Sequence, residues 1–208
     1  MRSETLQIRA LLTCALALAN DPFLNAMKHT DHVFLLRDGI PAPPGVCTPR
    51  WVWADFGSGR GAFTLALADL LGQGSTIYSI DHSGSDLLEQ QFELNQRFSG
   101  VSVHYLNQDF NSALALPPLD GIVMANALHF QRNKERTLQR VKGYLKPGGR
   151  FILVEYNADK GNPWVPYPLS MASWVSLAGR CGFVATSQLA RVPSSFMGEI
   201  YSALSLVP

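Results

Sequence analysis

The 208 residues are 47% hydrophobic and 16% charged, which excludes disordered and fibrous chains and gives one domain enough apolar material for a full core. Seventeen Lys and Arg against sixteen Asp and Glu leave a formal charge of +1, without the basic excess that follows nucleic-acid backbones, so no nucleic-acid partner is expected. Cys14, Cys47 and Cys181 are odd in number, far apart and without metal-ligand spacing, so neither a disulfide framework nor a metal site is expected.

Residues 1–28 read as an N-terminal extension or helix ahead of a domain spanning 29–208. Arg2 and Arg9 flank an apolar run from Ala10 to Leu18, and Ala17-Leu18-Ala19 imitates a signal-peptidase site. The run is too short to span a bilayer and Glu4 interrupts its basic flank, so the cytoplasm is the expected location and no membrane span is expected. Export on a signal-like segment, and a start at Met27 with everything upstream an extension, are the alternatives. Pro41-Ala42-Pro43-Pro44-Gly45 then breaks the chain.

Beyond it, two periodicities alternate. Trp51 to Phe56 is a buried strand entering a glycine loop, and Phe63, Leu67, Leu70 and Leu71 recur at helical spacing up to Gly72. Ser75–Ile80 is a second strand, Ser85–Phe98 a helix, and alternating Val101, Val103 and Tyr105 a third strand. Leu119–Ala125 forms the fourth strand. Leu138, Val141 and Leu145 mark a helix that Lys146-Pro147-Gly148-Gly149 breaks, ahead of a fifth strand over Phe151–Tyr156. Trp174, Leu177, Ala178 and Cys181 fall at i, i+3, i+4 and i+7 of a last helix. Two strands close the chain, near Phe183–Ala190 and Glu199–Leu206, with Pro193 between them. Alternation of strands and helices implies an α/β, doubly wound, mostly parallel seven-stranded sheet. The two closing strands lack an intervening helix and must form an antiparallel C-terminal hairpin.

The most specific motif is Asp55-Phe56-Gly57-Ser58-Gly59-Arg60-Gly61, between the first strand and its helix, where glycines let the backbone turn and approach a ligand. Asp81, 20 residues after Gly61, ends the second strand; its carboxylate suits ribose hydroxyls, or else caps the next helix together with His82 and Ser83. Asp109 follows the third strand and suits an exocyclic amine with Phe110 packing on a ring, or else is a turn aspartate. Three carboxylates at three successive strand ends carry more information than any one.

This order, Asp-x-Gly-x-Gly-x-Gly, then Asp81, then Asp109, then Leu145-Lys146-Pro147-Gly148-Gly149 before a strand, resembles the class I S-adenosylmethionine-dependent methyltransferases over about residues 29 to 206, and among them the compact bacterial members related to quinone-biosynthesis methyltransferases. The resemblance implies S-adenosyl-L-methionine as cofactor, with Asp55 and the backbone of Gly57, Ser58, Gly59 and Gly61 at its methionine end. It also implies Asp81 on the ribose, His82 beside the adenine, Asp109 on the adenine amine, the Phe110 amide on a ring nitrogen, and Asn126 near the methyl group. His82 departs from the aliphatic residue usual there. Asn126-Ala127-Leu128-His129 is not the Asn/Asp-Pro-Pro-Tyr motif of amino-group methyltransferases, and Asn162-Pro163-Trp164 comes too late in the chain for that role.

Methyl transfer by direct in-line displacement needs mainly alignment and exclusion of water, and a general base only where the acceptor must lose a proton. Candidates are His129, Glu155, Tyr156 and Asn157, with His129 first because imidazole titrates near neutrality; a structural His129 is an equal reading. The Tyr156–Pro168 segment, with Trp164 and Tyr167, is expected to cover a small-molecule methyl acceptor together with His29, Asp31 and His32. Two other readings stay open: an NAD(P)-dependent oxidoreductase, because Gly57-x-Gly59-x-x-Ala62 also fits a dinucleotide fingerprint, and a catalytically silent S-adenosylmethionine-binding domain.

Overall fold

A computed structural model describes residues 27–41 and 50–208. The extension over 1–26, most of the Pro41–Gly45 breaker and Cys14 and Cys47 lie outside the described residues.

The described chain runs α1 (His29–Leu36), β1 (Val52–Phe56), α2 (Ala62–Leu71), β2 (Thr76–Asp81), α3 (Gly84–Arg97), β3 (Ser102–Asn107) and β4 (Leu119–Ala125). It continues through α4 (Lys134–Lys142), β5 (Leu145–Tyr156), α5 (Met171–Arg180), β6 (Val184–Ser194) and β7 (Gly198–Leu206). All seven strands join one sheet in the order β3-β2-β1-β4-β5-β7-β6. The first five pair in parallel, and β7 runs antiparallel to both β5 and β6.

The strand sequences state the layering. Along β4 and β5, Ile122, Met124, Phe151 and Leu153 enter one core with Leu138, Val141, Trp174 and Leu177 of α4 and α5. The alternate residues Val123, Ala125, Ile152 and Val154 enter the opposite core with Leu35 of α1, the apolar side of α2 and Leu94 of α3. Period-2 alternation thus feeds two apolar faces, each covered by helices, and the central strands read as continuous hydrophobic runs. Strand order reverses between β1 and β4, which opens a crevice at their carboxyl ends.

Two boundaries differ from the sequence expectation. The Lys146-Pro147-Gly148-Gly149 string lies inside β5: Leu145 already pairs with Leu119, the register shifts between Leu119 and Gly121, and the Gly148 amide donates to the Val207 carbonyl at 2.9 Å. Turn-forming residues here make an irregularity within a strand rather than its boundary. Pro193 likewise lies within β6, opposite Glu199, and the hairpin turns at 195–197. Because β6 is the edge of the sheet, a residue without an amide proton leaves no partner unbonded there. Among the described residues no helix is long and apolar enough to cross a membrane.

Candidate functional site

The glycine loop is pinned before any ligand enters. The Gly57 and Ser58 amides both donate to the Ile80 carbonyl of β2, at 2.9 and 3.1 Å. Gly57 and Gly59 adopt left-handed φ values of 76° and 51°. They serve different ends. A Cβ on Gly57 would stand 2.6 Å from Cβ of Ala127, so this glycine lets the β1 and β4 loops touch, whereas nothing lies within 4 Å of a Cβ on Gly59. Gly61 packs as Gly57 does, against Gln90. Ala127 and Gln90 thus crowd Gly57 and Gly61, while the Cα of Gly59 faces open space.

A buried polar ring stiffens the loop from below. Ser58 Oγ lies 2.8 Å from Ser79 Oγ and accepts from Gln90 Nε2 at 3.1 Å; Gln90 Nε2 also donates to the Gly59 carbonyl at 2.9 Å, and Ser79 Oγ lies 2.9 Å from Gln90 Oε1. Gln90 and Ser79 escaped the sequence argument. The available signal was a glutamine on the apolar stripe Leu87-Gln90-Leu94 of α3, where a buried amide requires partners.

Asp55, within β1, is wholly buried and accepts the Thr64 hydroxyl at 2.7 Å. Burial pushes its carboxyl up to about 7; the Thr64 hydrogen bond pulls it down and the Asp81 charge adds to the rise. Asp81 does two things in one place. Its Oδ2 accepts the Gly59 amide and its Oδ1 the Ser83 amide, both at 2.8 Å. It is therefore a cap of the chain entering α3, and its remaining lone pairs stay beside the open side of Gly59. His82 is exposed, with Nδ1 3.1 Å from Asp81 Oδ1. Asp109 is exposed and accepts the Asn111 amide on Oδ1 at 2.8 Å, while Phe110 packs against Phe56. Turn and cap functions are thus present at Asp81 and Asp109, and neither consumes the whole carboxylate.

At the end of β4, Asn126 takes a left-handed φ of 50°, and its buried Oδ1 has no hydrogen-bond partner. A strained non-glycine residue with an orphaned carbonyl is costly unless a ligand uses it. Three residues on, His129 is buried, and Glu155 of β5, with no exposed surface, holds it twice. Glu155 Oε1 accepts the His129 amide at 3.0 Å and Oε2 meets Nδ1 at 2.8 Å. That bond fixes the ring and leaves Nε2 as the available nitrogen. The pair ties the loop after β4 to β5, one strand over from the crevice between β1 and β4.

The Tyr156 ring lies 6.1 Å from that of His129, and burial, then the Glu155 charge, raises its phenol. Outward from it come Phe196 of the β6–β7 turn, at 5.8 Å, and Trp164, at 6.3 Å from Phe196. Trp164 and Phe196 are 71% and 50% exposed, so two loops bring large aromatic rings together in solvent beside the dyad. Tyr167 belongs to the same rim: its amide donates to the His129 carbonyl at 3.0 Å and Lys134 Nζ stands 5.5 Å above its ring. Phe196 and Lys134 were not found from the sequence, since neither sits in a motif.

Two expectations need correction. Asn157 is no base: its amide donates to Glu199 at 2.8 Å and its carbonyl accepts the Met171 amide at the start of α5. His29 and His32 do not join the Tyr156–Pro168 segment. His29 meets Asp69 of α2 at 3.2 Å and His32 packs edge-on against Phe63, because α1 docks its apolar side on α2.

Comparison with known proteins agrees with this architecture. The profile of a family described as a methyltransferase domain matches residues 54–151. Fusarielin synthase FSL1 of Gibberella zeae is 24% identical over 181 residues, 74% of this chain and 7% of its own. Lovastatin diketide synthase lovF of Aspergillus terreus is 28% identical over 136 residues, 62% of this chain and 6% of its own. The chain therefore spans less than a tenth of the length of these curated relatives. Among solved structures, a 1,6-didemethyltoxoflavin-N1-methyltransferase of Burkholderia thailandensis, with bound 1,6-didemethyltoxoflavin and S-adenosylhomocysteine, superposes with a TM-score of 0.66 at 18% identity, covering 99% of this chain and 89% of that one. A SAM-dependent methyltransferase of Aquifex aeolicus gives 0.64 at 19% identity, covering 94% and 98%. The CurJ carbon methyltransferase gives 0.64 at 18% identity, covering 82% and 50%. The narrower likeness to quinone-biosynthesis enzymes finds no support in these matches.

Proposed function

We propose that this chain, which has the class I S-adenosylmethionine-dependent methyltransferase fold, binds S-adenosyl-L-methionine and transfers its methyl group to an acidic carbon of a small-molecule acceptor. The observation that carries the reading is the buried His129–Glu155 pair, whose histidine follows by three residues the orphaned Asn126 Oδ1 at the end of β4, one of the two strands at the reversal point. The residues present suit the cofactor. Gly59 leaves room for close backbone approach, and the resemblance would put the methionine end near this loop and Asp55. Asp81 would take ribose hydroxyls, Asp109 and the Phe110 amide the adenine edge, with His82 beside the ring and Asn126 toward the methyl. When bound, the cofactor supplies a sulfonium methyl that is already electrophilic.

The protein's task is then to align the acceptor, exclude water and remove one proton. His129 takes that proton at Nε2, while Glu155 holds the ring through Nδ1 and balances the charge it gains. Tyr156 adds an apolar wall with a hydroxyl, and Trp164, Phe196 and Tyr167 form the rim through which an apolar acceptor passes. A buried base matters little for soft nucleophiles such as thiols, and most for a carbon acid. Carbon also accords with the name of the CurJ carbon methyltransferase. An antiparallel β7 between β5 and β6 disfavours the oxidoreductase reading.

Calorimetry with S-adenosylhomocysteine and NADPH, followed by assay with isotopically methyl-labelled cofactor and acetoacetyl-N-acetylcysteamine, tests the reading. His129→Ala should keep S-adenosylhomocysteine affinity and lose turnover by ~10²-fold or more. Turnover unchanged in this variant removes the base, and NADPH binding in place of the adenosyl-sulfur ligand removes the whole reading.

A further inference from the structure

Charge is distributed unevenly in this nearly neutral chain. Residues 132–142 hold five cations and the single acid Glu135, while the rest of the sequence holds twelve cations against fifteen acids. Glu135 is already taken by Arg180 at 3.0 Å. Arg136 and Arg140, one turn apart on α4, have no carboxylate partner among the described residues.

Both line a pocket of about 310 Å³ together with Asn111, Gln131, Asn133 and Thr137. None of its six residues is acidic and none is a hydrocarbon residue. The Thr137 hydroxyl bonds Asn111 Oδ1 at 3.1 Å across the back, which ties the β3–β4 loop to α4. Guanidinium groups at i and i+4 lie on one helix face and can grip an oxyanion from two sides; carboxamides add donors, and the first turn of α4 adds positive potential. The pocket has neighbours on both sides of the proposed chemistry. Asn111 hydrogen-bonds Asp109, and Gln131 follows His129 by two residues.

We infer that this pocket is an anion site for a phosphate group, held by Arg136 and Arg140. The anion is either the tail of a phosphate monoester whose other end reaches the His129 dyad, or free phosphate acting from beside it. The site itself stands whether or not the chain transfers methyl groups; only the ester alternative rests on the proposed function.

Titration calorimetry of the full chain loaded with S-adenosylhomocysteine, using inorganic phosphate and phenyl phosphate as probes, tests the inference. Saturable binding at millimolar concentration or tighter is expected, weakened ~10-fold or more in Arg136→Gln/Arg140→Gln, and partly retained in Arg136→Lys/Arg140→Lys, which keeps the charge but loses the bidentate fork. Phenyl phosphate binding much more tightly than phosphate identifies an esterified ligand, and equal affinities identify the free anion. No saturable binding of either probe, or equal binding by the double glutamine variant, overturns the site. Binding of S-adenosylhomocysteine to the same variants, read separately, tells loss of this pocket from loss of the cofactor site or of the fold.

Discussion

Asp55 opposes the fold that surrounds it. Its carboxyl has no exposed surface of consequence, one hydrogen bond from Thr64, and titrates at about 7 against 3.8 for a free aspartate. Between those values the folded chain keeps a proton that the unfolded chain releases. Stability must therefore fall as pH rises from about 4 to 7 and level off above. A displacement of roughly three pH units corresponds to about 4 kcal/mol at neutral to alkaline pH, and about 2.5 kcal/mol of it develops between pH 5 and pH 8. Asp55→Asn keeps the size and an acceptor for Thr64 and removes the charge. The new amide protons bring an unpaired-donor cost of about 1–3 kcal/mol that does not vary with pH. What should change is the slope: the variant gains about 2.5 kcal/mol on the wild type between pH 5 and 8, because every other titrating group cancels in the difference. Urea unfolding at both pH values reads this directly through the fully buried Trp53 and Trp174. Parallel stabilities of the two proteins across that range would show that Asp55 is ionised and solvated in the native state, and the account of its burial would be wrong.

Further outcomes follow from the same geometry. Gly121→Ala would drive a methyl group into the indole of Trp53, itself wholly buried, so thermal unfolding should show a loss of at least about 1–3 kcal/mol; an unchanged midpoint would mean the β1–β4 contact is looser than described. Glu155→Gln should preserve S-adenosylhomocysteine binding and reduce methyl transfer by ~10²-fold or more, because the amide has one acceptor where the carboxylate has two and cannot balance the ring's charge. If its turnover equals that of the wild type, Glu155 serves the fold alone.

How far the sequence could be read depends on how local each signal is. The seven strands and the closing hairpin were legible because Val, Ile, Leu and Phe alternate with a period that survives without tertiary information. The Lys146-Pro147-Gly148-Gly149 string misled because its turn residues are compatible with a strand irregularity once Leu145 finds Leu119. Pro193 misled for the same kind of reason, since an edge strand forgives a missing amide. The loop Asp55–Gly61, Asp81 and Asp109 were visible as a spaced motif. The division of work among its glycines was not, because the atoms that crowd Gly57 and Gly61 belong to Ala127 and Gln90, distant in sequence. His129 and Glu155 were both named, yet only the fold puts them 2.8 Å apart, since they stand 26 positions and a helix apart in sequence. Phe196 was invisible for want of any pattern in a hairpin turn.

The position of β7 has a consequence for how this chain comes to exist in a cell. Six strands precede it in synthesis, yet it lies between β5 and β6 and bonds to both. Until residues 198–206 have left the ribosome, the outer edge of β5 has no neighbour and β6 cannot attach to the sheet at all. At ~5–20 residues per second the open edge lasts for several seconds while the segments from the end of β5 to the end of β7 are made. An unpaired edge of Phe151-Ile152-Leu153-Val154 is a template for the wrong neighbour. The interval before the last strand arrives is therefore when the β5 edge is most open to a wrong partner.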